Sequence, residues 1–249
     1  MSDARARFRA LHQSGCFVIP NPWDVGGARR LEKLGFPALA SSSAAVAWTL
    51  GKADGEIILE EALDHLRLLC GATDLPVNAD FEAGFADEPL ELARNVTLCV
   101  GTGVAGLSIE DRTGQTLYDL DLAVERIRAA RAAIDATGGD VILVARSEGF
   151  LLGRTELAPT VERLAAYAAA GADCLYAPGV RDLSAIRELV QALAPKPVNV
   201  LLSTTDASVA ELAAAGVRRV SVGGALAARA WKAFDAAAEL LAKDGRLPK

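Results

Sequence analysis

The sequence predicts an α/β protein built as a (β/α)8 or TIM barrel, and three observations lead to this prediction. Short apolar segments alternate with helical patterns in one unbroken series of eight along the 249 residues. The segments are so apolar that they predict parallel strands, which are buried on both faces. Several helical patterns end in glycine just before the next segment, as helices commonly do. A doubly wound open sheet is the alternative, but no Gly-x-Gly-x-x-Gly follows the first segment.

The order of the elements follows from these patterns. We expect strands at residues 16–20, 38–41, 76–79, 106–109, 141–145, 174–177, 198–201 and 220–222. We expect helices between them at residues 28–34, 59–69, 90–100, 122–136, 160–170, 183–194 and 208–215, and a last helix at 225–243. A chain of this length suffices for one large core, so we expect a single domain over residues 1–249.

The composition argues against several classes of protein. A net charge of −6 disfavours nucleic acid or an anionic membrane surface as a partner. No apolar run reaches the ~18 residues of a membrane span, and the charged N-terminal segment has no apolar stretch typical of a secretion signal. The four cysteines lie far apart with no CxxC motif, which predicts reduced core residues in a cytoplasmic protein.

Acidic and basic side chains follow several predicted strands. Asp80 and Glu82 lie two residues apart after the third strand, and strand geometry would point both to the same side. Such close carboxylates repel each other unless a cation, a proton or an arginine lies between them, and a divalent metal is the simplest solution. Glu110 follows the fourth strand, and Arg146 and Glu148 follow the fifth. Because the active site of a barrel lies at the carboxyl ends of its strands, these side chains are candidates for one site.

Each candidate also has a purely structural interpretation. Asp80 and Glu82, or Glu110 and its neighbour, could cap the start of a helix or loop. Arg146 leaves an apolar strand, where arginine needs a partner, so it could form a salt bridge to Glu110 or Glu148. The run Ser41–Ser43 could be a polar turn.

The residues missing from the strand ends narrow the chemistry. The two histidines, His12 and His65, fall in helical stretches, which disfavours a His-based triad or a His-ligated zinc site. No lysine stands at a strand end to form a Schiff base. An oxygen-ligand site remains, which suits Mg²⁺ or Mn²⁺ and a small carboxylate substrate that chelates through a neighbouring oxygen. A metal of this kind stabilises an enolate oxygen well.

Four segments in order carry a resemblance to a known family. They read SSSAAVAWTLGKADG, NADFEAGF, GLSIEDR and LVARSEGF, and the similarity extends from NPWD to RRVSVGGAL. In this order they resemble the isocitrate lyase and phosphoenolpyruvate mutase superfamily. The resemblance implies an α/β barrel that makes or breaks C–C or P–C bonds beside a Mg²⁺-bound enolate of a pyruvate-like acid. It also implies a homodimer or homotetramer in which the last helix is exchanged between subunits.

The resemblance assigns roles to the acidic residues. Asp80 matches the acid that holds the metal most directly, while Glu82 and Glu110 match acids that usually act through metal-bound water. Asp54 matches a loop aspartate near the same metal, and we include it among the catalytic candidates.

The same resemblance assigns the substrate contacts. Ser42 and Ser43 match a Ser-Gly pair that holds the substrate carboxylate, and Arg146 matches an arginine that steadies the substrate oxygens. Arg146 is therefore both a substrate-binding and a catalytic candidate.

The sequence departs from the family at three places. Glu82 stands where aspartate is common, and Ser43 replaces a glycine. The segment after Glu110 and Asp111 reads RTGQTLYDLD, without the Lys-Lys-Cys-Gly-His loop of the isocitrate and methylisocitrate lyases. We therefore expect a Mg²⁺-dependent C–C lyase or decarboxylase acting on a small 2-oxo or 2-hydroxy carboxylate. A phosphonopyruvate-type P–C bond enzyme and a 2-oxo acid binding protein with little catalysis are the alternatives.

Overall fold

The computed structural model describes residues 2–248, and its central feature is an eight-stranded parallel sheet curled into a barrel. The strands in chain order are β1 (Phe17–Ile19), β2 (Leu39–Ala40), β3 (Val77–Asp80), β4 (Gly106–Glu110), β5 (Arg112–Thr113), β6 (Thr116–Leu117), β7 (Ile142–Arg146), β8 (Cys174–Tyr176), β9 (Val198–Leu201) and β10 (Arg219–Ser221). β5 and β6 form a separate antiparallel hairpin, and the other eight follow the order β1-β10-β9-β8-β7-β4-β3-β2.

The two end strands of this sheet come together and nearly close the barrel. The amide of Ala40 in β2 donates to the carbonyl of Pro20, just after β1, at 3.0 Å. Asn21 Nδ2 donates to the carbonyl of Ser41 at 2.7 Å, and Asn21 Oδ1 accepts from the amides of Val222 and Gly223 beyond β10. The side chain of Asn21 thus bridges the seam, and the predicted TIM-like barrel is confirmed.

The helices surround the barrel in the predicted order. Their bounds are α1 (Ser2–Leu11), α2 (Val25–Lys33), α3 (Ser43–Thr49), α4 (Leu59–Ala72), α5 (Pro89–Gly101), α6 (Leu120–Ala136), α7 (Leu157–Ala169), α8 (Leu183–Leu193), α9 (Val209–Ala214) and α10 (Ala225–Asp244). Helices α1 and α3 and the β5–β6 hairpin were not among the predicted elements. Short 3-10 helices at Gly149–Leu152 and Leu202–Thr204 follow β7 and β9.

Helix α1 closes the amino end of the barrel. The fully buried ring of Phe8 packs edge-to-face on Phe17, at the start of β1, and clusters with Ala38, Ala105 and Ile142 near the starts of other strands. This end is therefore apolar, and the acidic residues that line the cavity lie toward the opposite end.

Other expectations concern the chain as a whole. All four cysteines are free thiols, but only Cys99 and Cys174 are buried core residues as predicted, whereas Cys16 and Cys70 are partly exposed. Within residues 2–248 no helix has the length and apolar character needed to cross a membrane. A single domain over residues 1–249 and the exchange of α10 between subunits stay predictions.

Candidate active site

Asp80, the last residue of β3, is held at the barrel rim by four contacts. Its Oδ2 accepts from the amide and the hydroxyl of Ser43, both at 3.0 Å, and its Oδ1 accepts from Arg146 Nη1 at 2.8 Å. Its own amide donates to Ser41 Oγ at 2.8 Å. The serine run after β2 thus fixes the orientation of this carboxylate.

Glu82 reaches the same cavity as Asp80, but not by the strand geometry that we predicted. Strand β3 ends at Asp80, and Glu82 lies in the following turn with φ +47°, a left-handed conformation that is rare for a residue other than glycine. The prediction that the two carboxylates share one strand face is therefore wrong. Such a conformation raises the local free energy and is found preferentially at functional sites.

The Glu82 carboxylate forms no salt bridge among residues 2–248, although Arg112 and Arg146 are near enough to lower its pKa. Its Oε1 is buried and has no hydrogen-bond partner among the described residues. Burial, together with the negative charges of Asp80 and Asp54, raises the pKa of Glu82 to about 7. This carboxylate therefore has capacity for a cationic ligand.

Arg146, the last residue of β7, lies between three carboxylates. Its Nη1 contacts Asp80 Oδ1 at 2.8 Å and Glu110 Oε1 at 2.9 Å, while Nε and Nη2 contact Glu148 Oε1 at 3.0 and 2.9 Å. Burial alone lowers the pKa of Arg146, but the charges of Glu110, Glu148 and Asp80 outweigh burial and raise it. The salt bridges from Arg146 to Glu110 and Glu148 are thus present in the structure. They do not exclude a contact between Arg146 and the substrate.

Glu110 and Glu148 are almost fully buried beside this arginine. Burial raises the pKa of both carboxyl groups, and Arg146 acts in the opposite direction. Glu110 also contacts Arg112 Nε at 3.3 Å, so the β5–β6 hairpin is tied to the same acidic group.

Asp111 points into the barrel wall and not into the cavity. Its Oδ1 accepts from the amide of Glu148 at 2.8 Å, and its Oδ2 accepts from the Tyr167 hydroxyl at 2.6 Å and from Arg163 at 3.4 Å. Asp111 therefore positions the backbone from which Glu148 reaches Arg146.

One cavity of about 200 Å³ collects the charged groups at the carboxyl ends of the strands. Its acidic lining residues are Asp54, Asp80, Glu82, Glu110 and Glu148, and its basic ones are Arg112, Arg146 and Arg219. Neutral residues complete the wall, including Asn21, Ser41, Ser42, Ser43, Asn78, Ser108, Tyr176, Ser221, Gly223 and Gly224.

The predicted site residues all line this cavity, but their contacts differ. Ser42 caps α3, with its Oγ accepting from the amide of Ala45 at 3.4 Å, whereas both donors of Ser43 are engaged by Asp80. Asp54 lies in an exposed turn beside Glu82. The two histidines do not lie at the carboxyl ends of the strands, since His12 follows α1 and His65 lies within α4. The roles of the predicted residues stay predictions.

The donor set is suitable for a hard divalent cation, although the side chains do not converge on one point. Within residues 2–248 no group of three or more His, Cys, Asp or Glu side chains is arranged to hold a metal ion, and Arg146 lies between Asp80 and Glu110. The cavity nevertheless offers only oxygen donors among its acids, and Glu82 Oε1 is buried without a partner. These features fit Mg²⁺ or Mn²⁺.

Sequence reasoning named Glu148 as a strand-end candidate and as a possible salt-bridge partner of Arg146, but it assigned no role to Arg112 or Arg219. Arg219 had a usable signal, because an arginine within an apolar strand needs a special environment, as we argued for Arg146. Arg112 follows the fourth strand directly and was placed at the same edge, but the hairpin in which it lies was not predicted.

Comparisons with known proteins agree with this architecture. The family model described as phosphoenolpyruvate phosphomutase matches residues 8–242. The oxaloacetate decarboxylase of Chromohalobacter salexigens is 33% identical over 239 residues, which span 90% of this chain and 80% of that protein.

Solved structures are similar over nearly the whole chain. A Burkholderia cenocepacia protein, provisionally named a lyase/mutase, is 46% identical with a TM-score of 0.95 and covers 99% of this chain and 90% of its own. The 2,3-dimethylmalate lyase structure is 29% identical with a TM-score of 0.90 and covers 100% of this chain and 90% of its own. This chain therefore belongs to the PEP mutase/isocitrate lyase superfamily.

Proposed function

We propose that this chain is a Mg²⁺-dependent lyase or decarboxylase that cleaves a C–C bond in a small 2-oxo or 2-hydroxy carboxylate. The observation that carries the proposal is the charge of the cavity lining, where five carboxylates face three guanidinium groups. With every group ionised, the lining carries a net charge of −2, which one divalent cation balances. The relationship to a protein named oxaloacetate decarboxylase supports the same function.

The proposed ligands of the cation are acids that line the cavity. Asp80 would hold Mg²⁺ most directly, Glu82 and Glu110 would hold it directly or through water, and Asp54 would lie near it at the mouth. When bound, Mg²⁺ supplies a Lewis acid that stabilises negative charge on the substrate oxygens.

Three other residues would bind and orient the substrate. Ser42 and Ser43 would hold a substrate carboxylate at the end of β2, with the two donors of Ser43 turning to it from Asp80. Arg146 would engage substrate oxygens with its planar fork, because its guanidinium lines the cavity and is fixed by Glu148.

Decarboxylation fits the residues better than cleavage of a 2-hydroxy acid. When a 2-oxo diacid loses CO₂, the electron pair of the broken bond stays on the product as an enolate, and a proton from water completes the reaction. A 2-hydroxy acid must first lose its hydroxyl proton to a base. The hairpin residues 112–117, which replace the family's cysteine loop, contain no cysteine, histidine or lysine for that step.

A substrate panel tests the proposal. Purified protein with Mg²⁺ is assayed against oxaloacetate, 2-methylisocitrate and phosphonopyruvate, with a chelator control. We expect Mg²⁺-dependent release of pyruvate from oxaloacetate. Turnover of phosphonopyruvate alone would establish the P–C bond alternative, and binding without turnover would establish the binding protein.

We also propose that the active form is a homodimer or homotetramer. Exposed aromatic side chains cluster on α10 and α3: Trp231 is 38% exposed, Phe234 62% and Trp48 37%. Contiguous exposed apolar surface of this kind usually marks an interface. We expect light scattering at micromolar concentration to give at least twice the mass of one chain, and a stable monomer would contradict the proposal.

A further inference from the structure

A second buried arginine, Arg219, lines the same cavity without an acidic partner. It is the first residue of β10 and is only 3% exposed. Within the described part of the chain, residues 2–248, it forms no salt bridge, whereas Arg146 contacts three carboxylates. Because β10 ends two residues later at Ser221, Arg219 lies deeper in the barrel than the rim acids.

The contacts of Arg219 are all to neutral groups. Its Nε donates to Asn199 Oδ1 at 3.0 Å and its Nη1 donates to Asn78 Oδ1 at 3.1 Å. No hydrogen bond from Nη2 is formed among residues 2–248. Burial lowers the pKa of Arg219, and the charge of Arg146 acts in the same direction, whereas Cys174, Tyr176 and Asp80 act in the opposite direction. A buried charge with only amide partners is destabilising unless a further anionic partner is supplied.

Another buried arginine shows how the fold satisfies such a group when it is purely structural. Arg126 is completely buried, donates to the backbone carbonyls of Ala83, Ala86 and Asp87, and stacks over the ring of Tyr118 at 4.3 Å. The guanidinium of Arg126 thus clamps the loop after β3 and does not line the cavity. Arg219, in contrast, faces a cavity that is open to a ligand.

We propose that Arg219 binds an anionic group of the substrate, a second carboxylate that reaches the floor of the cavity. The inference rests on the proposed function, because it says which residue binds the substrate carboxylate that lies farther from the metal-binding acids. The acidic rim repels an anion, whereas Arg219 attracts one, so the charge pattern orients a dicarboxylate along the barrel axis. Asn78 and Asn199 hold the guanidinium from two sides and fix its direction.

The competing possibility is that Arg219 only braces the barrel by linking β3, β9 and β10. A matched pair of ligands separates the two roles: malate and 2-hydroxybutyrate share four carbons and a hydroxyl group, and only malate has the second carboxylate. Calorimetric titrations with Mg²⁺ present measure both affinities in the wild-type protein, in Arg219→Met and in Arg218→Met. Arg218 is the control, because it precedes β10, is partly exposed and donates to the carbonyl of Gly15 outside the cavity.

We expect wild-type protein and Arg218→Met to bind malate about ten- to a hundredfold more tightly than 2-hydroxybutyrate. In Arg219→Met this ratio should fall to near one, with the affinity for 2-hydroxybutyrate unchanged. Should Arg219→Met fail to fold, Arg219→Gln keeps a hydrogen-bonding head without charge and should give the same loss of preference.

Three results would overturn the inference. A preserved ratio in Arg219→Met or Arg219→Gln, with only a lower melting temperature, would make Arg219 a brace. Equal affinities for the two ligands in the wild-type protein would remove the second-carboxylate site while leaving the proposed function intact. Binding of neither ligand to the wild-type protein would contradict the proposed function itself, and the inference with it.

Discussion

The two ends of the barrel place titratable groups in very different surroundings. At the amino end, His12 lies against Phe8 and Phe17, with ring centroids 4.7 and 5.1 Å away, and its Nδ1 hydrogen bonds to the Phe8 carbonyl at 2.8 Å. Burial and the nearby charge of Arg219 lower its pKa to about 3, so the ring stays neutral. At the carboxyl end, Arg146 lies buried in contact with the carboxyl groups of Asp80, Glu110 and Glu148.

This difference indicates that residues at the amino end of the barrel serve packing and that residues at the carboxyl end serve function. At the apolar end, burial keeps the ring of His12 neutral, and close contacts between aromatic side chains add stability. A charged end keeps several groups whose burial is unfavourable, together with the left-handed conformation of Glu82. We therefore expect substitutions at the amino end to change stability alone, and substitutions at the carboxyl end to change function first.

The largest effect on stability is expected for Phe8→Ala at the amino end. Removing this fully buried ring leaves a cavity under the barrel and should lower the free energy of unfolding by about 3–5 kcal/mol. Guanidinium denaturation measures the loss, and Mg²⁺ affinity should not change. Arg7→Ala, on the exposed side of α1, is the control and should shift stability by about 0.5 kcal/mol or less. A Phe8→Ala variant with weakened Mg²⁺ binding would break the proposed separation of the two ends.

The next largest effect is expected for Arg146→Lys at the carboxyl end, and it concerns the activation free energy of catalysis. Lysine keeps the charge but lacks the planar fork, so turnover should fall about a hundredfold, or roughly 2.7 kcal/mol. Steady-state kinetics and denaturation are measured on the same preparation.

The matched control for Arg146→Lys is Arg131→Lys. Arg131 contacts Asp173 at 3.0 Å and Asp135 at 2.7 Å outside the cavity, so its replacement should lower stability without changing turnover. Equal losses of stability in the two variants, with no specific loss of turnover in Arg146→Lys, would favour a purely structural role for Arg146.

The most gradual effect is the pH dependence of stability caused by His12, because it is spread over several pH units. Its pKa in the folded chain is about 3, compared with 6.5 for an ordinary histidine, so the unfolded chain takes up the proton first. The stability contribution of neutral His12 is therefore complete above pH 6.5 and is lost as the pH falls toward 3. Between pH 6.5 and 3, the free energy of unfolding should fall by about 1.4 kcal/mol for each pH unit because of His12.

The variant His12→Leu isolates this contribution from that of other groups. The difference in unfolding free energy between wild type and variant should follow the predicted slope between pH 6 and 4. A difference that is independent of pH would show that His12 is not buried as a neutral ring.

Sequence reasoning predicted the strand ends well because each parallel strand must be apolar and must end where the chain becomes polar. Asp80, Glu110 and Arg146 are the last residues of their strands, and all three line the cavity. It failed at Glu82, since alternation holds only while the strand continues, and a left-handed turn begins directly after β3. The end of β3 depends on tertiary packing, which no local pattern contains.

Two further features depend on contacts that are distant in sequence. The closure of the amino end by α1 requires Phe8 to contact residues more than a hundred positions away in sequence, such as Ile142. The environment of Arg219 depends on Asn78 and Asn199, which lie on different strands. Pairs of this kind follow from the closure of the barrel and not from a motif.

Calorimetric titration with Mg²⁺ shows whether the acids at the carboxyl end of the barrel bind a divalent cation. The variant Asp80→Asn keeps the size of the side chain but removes its charge, while Asp64→Asn on the exposed face of α4 is the control. We predict one Mg²⁺ per chain in the wild type and in Asp64→Asn, and no detectable binding in a folded Asp80→Asn protein. An unchanged Mg²⁺ affinity in Asp80→Asn would contradict the assignment of a metal site to the carboxyl end of the barrel.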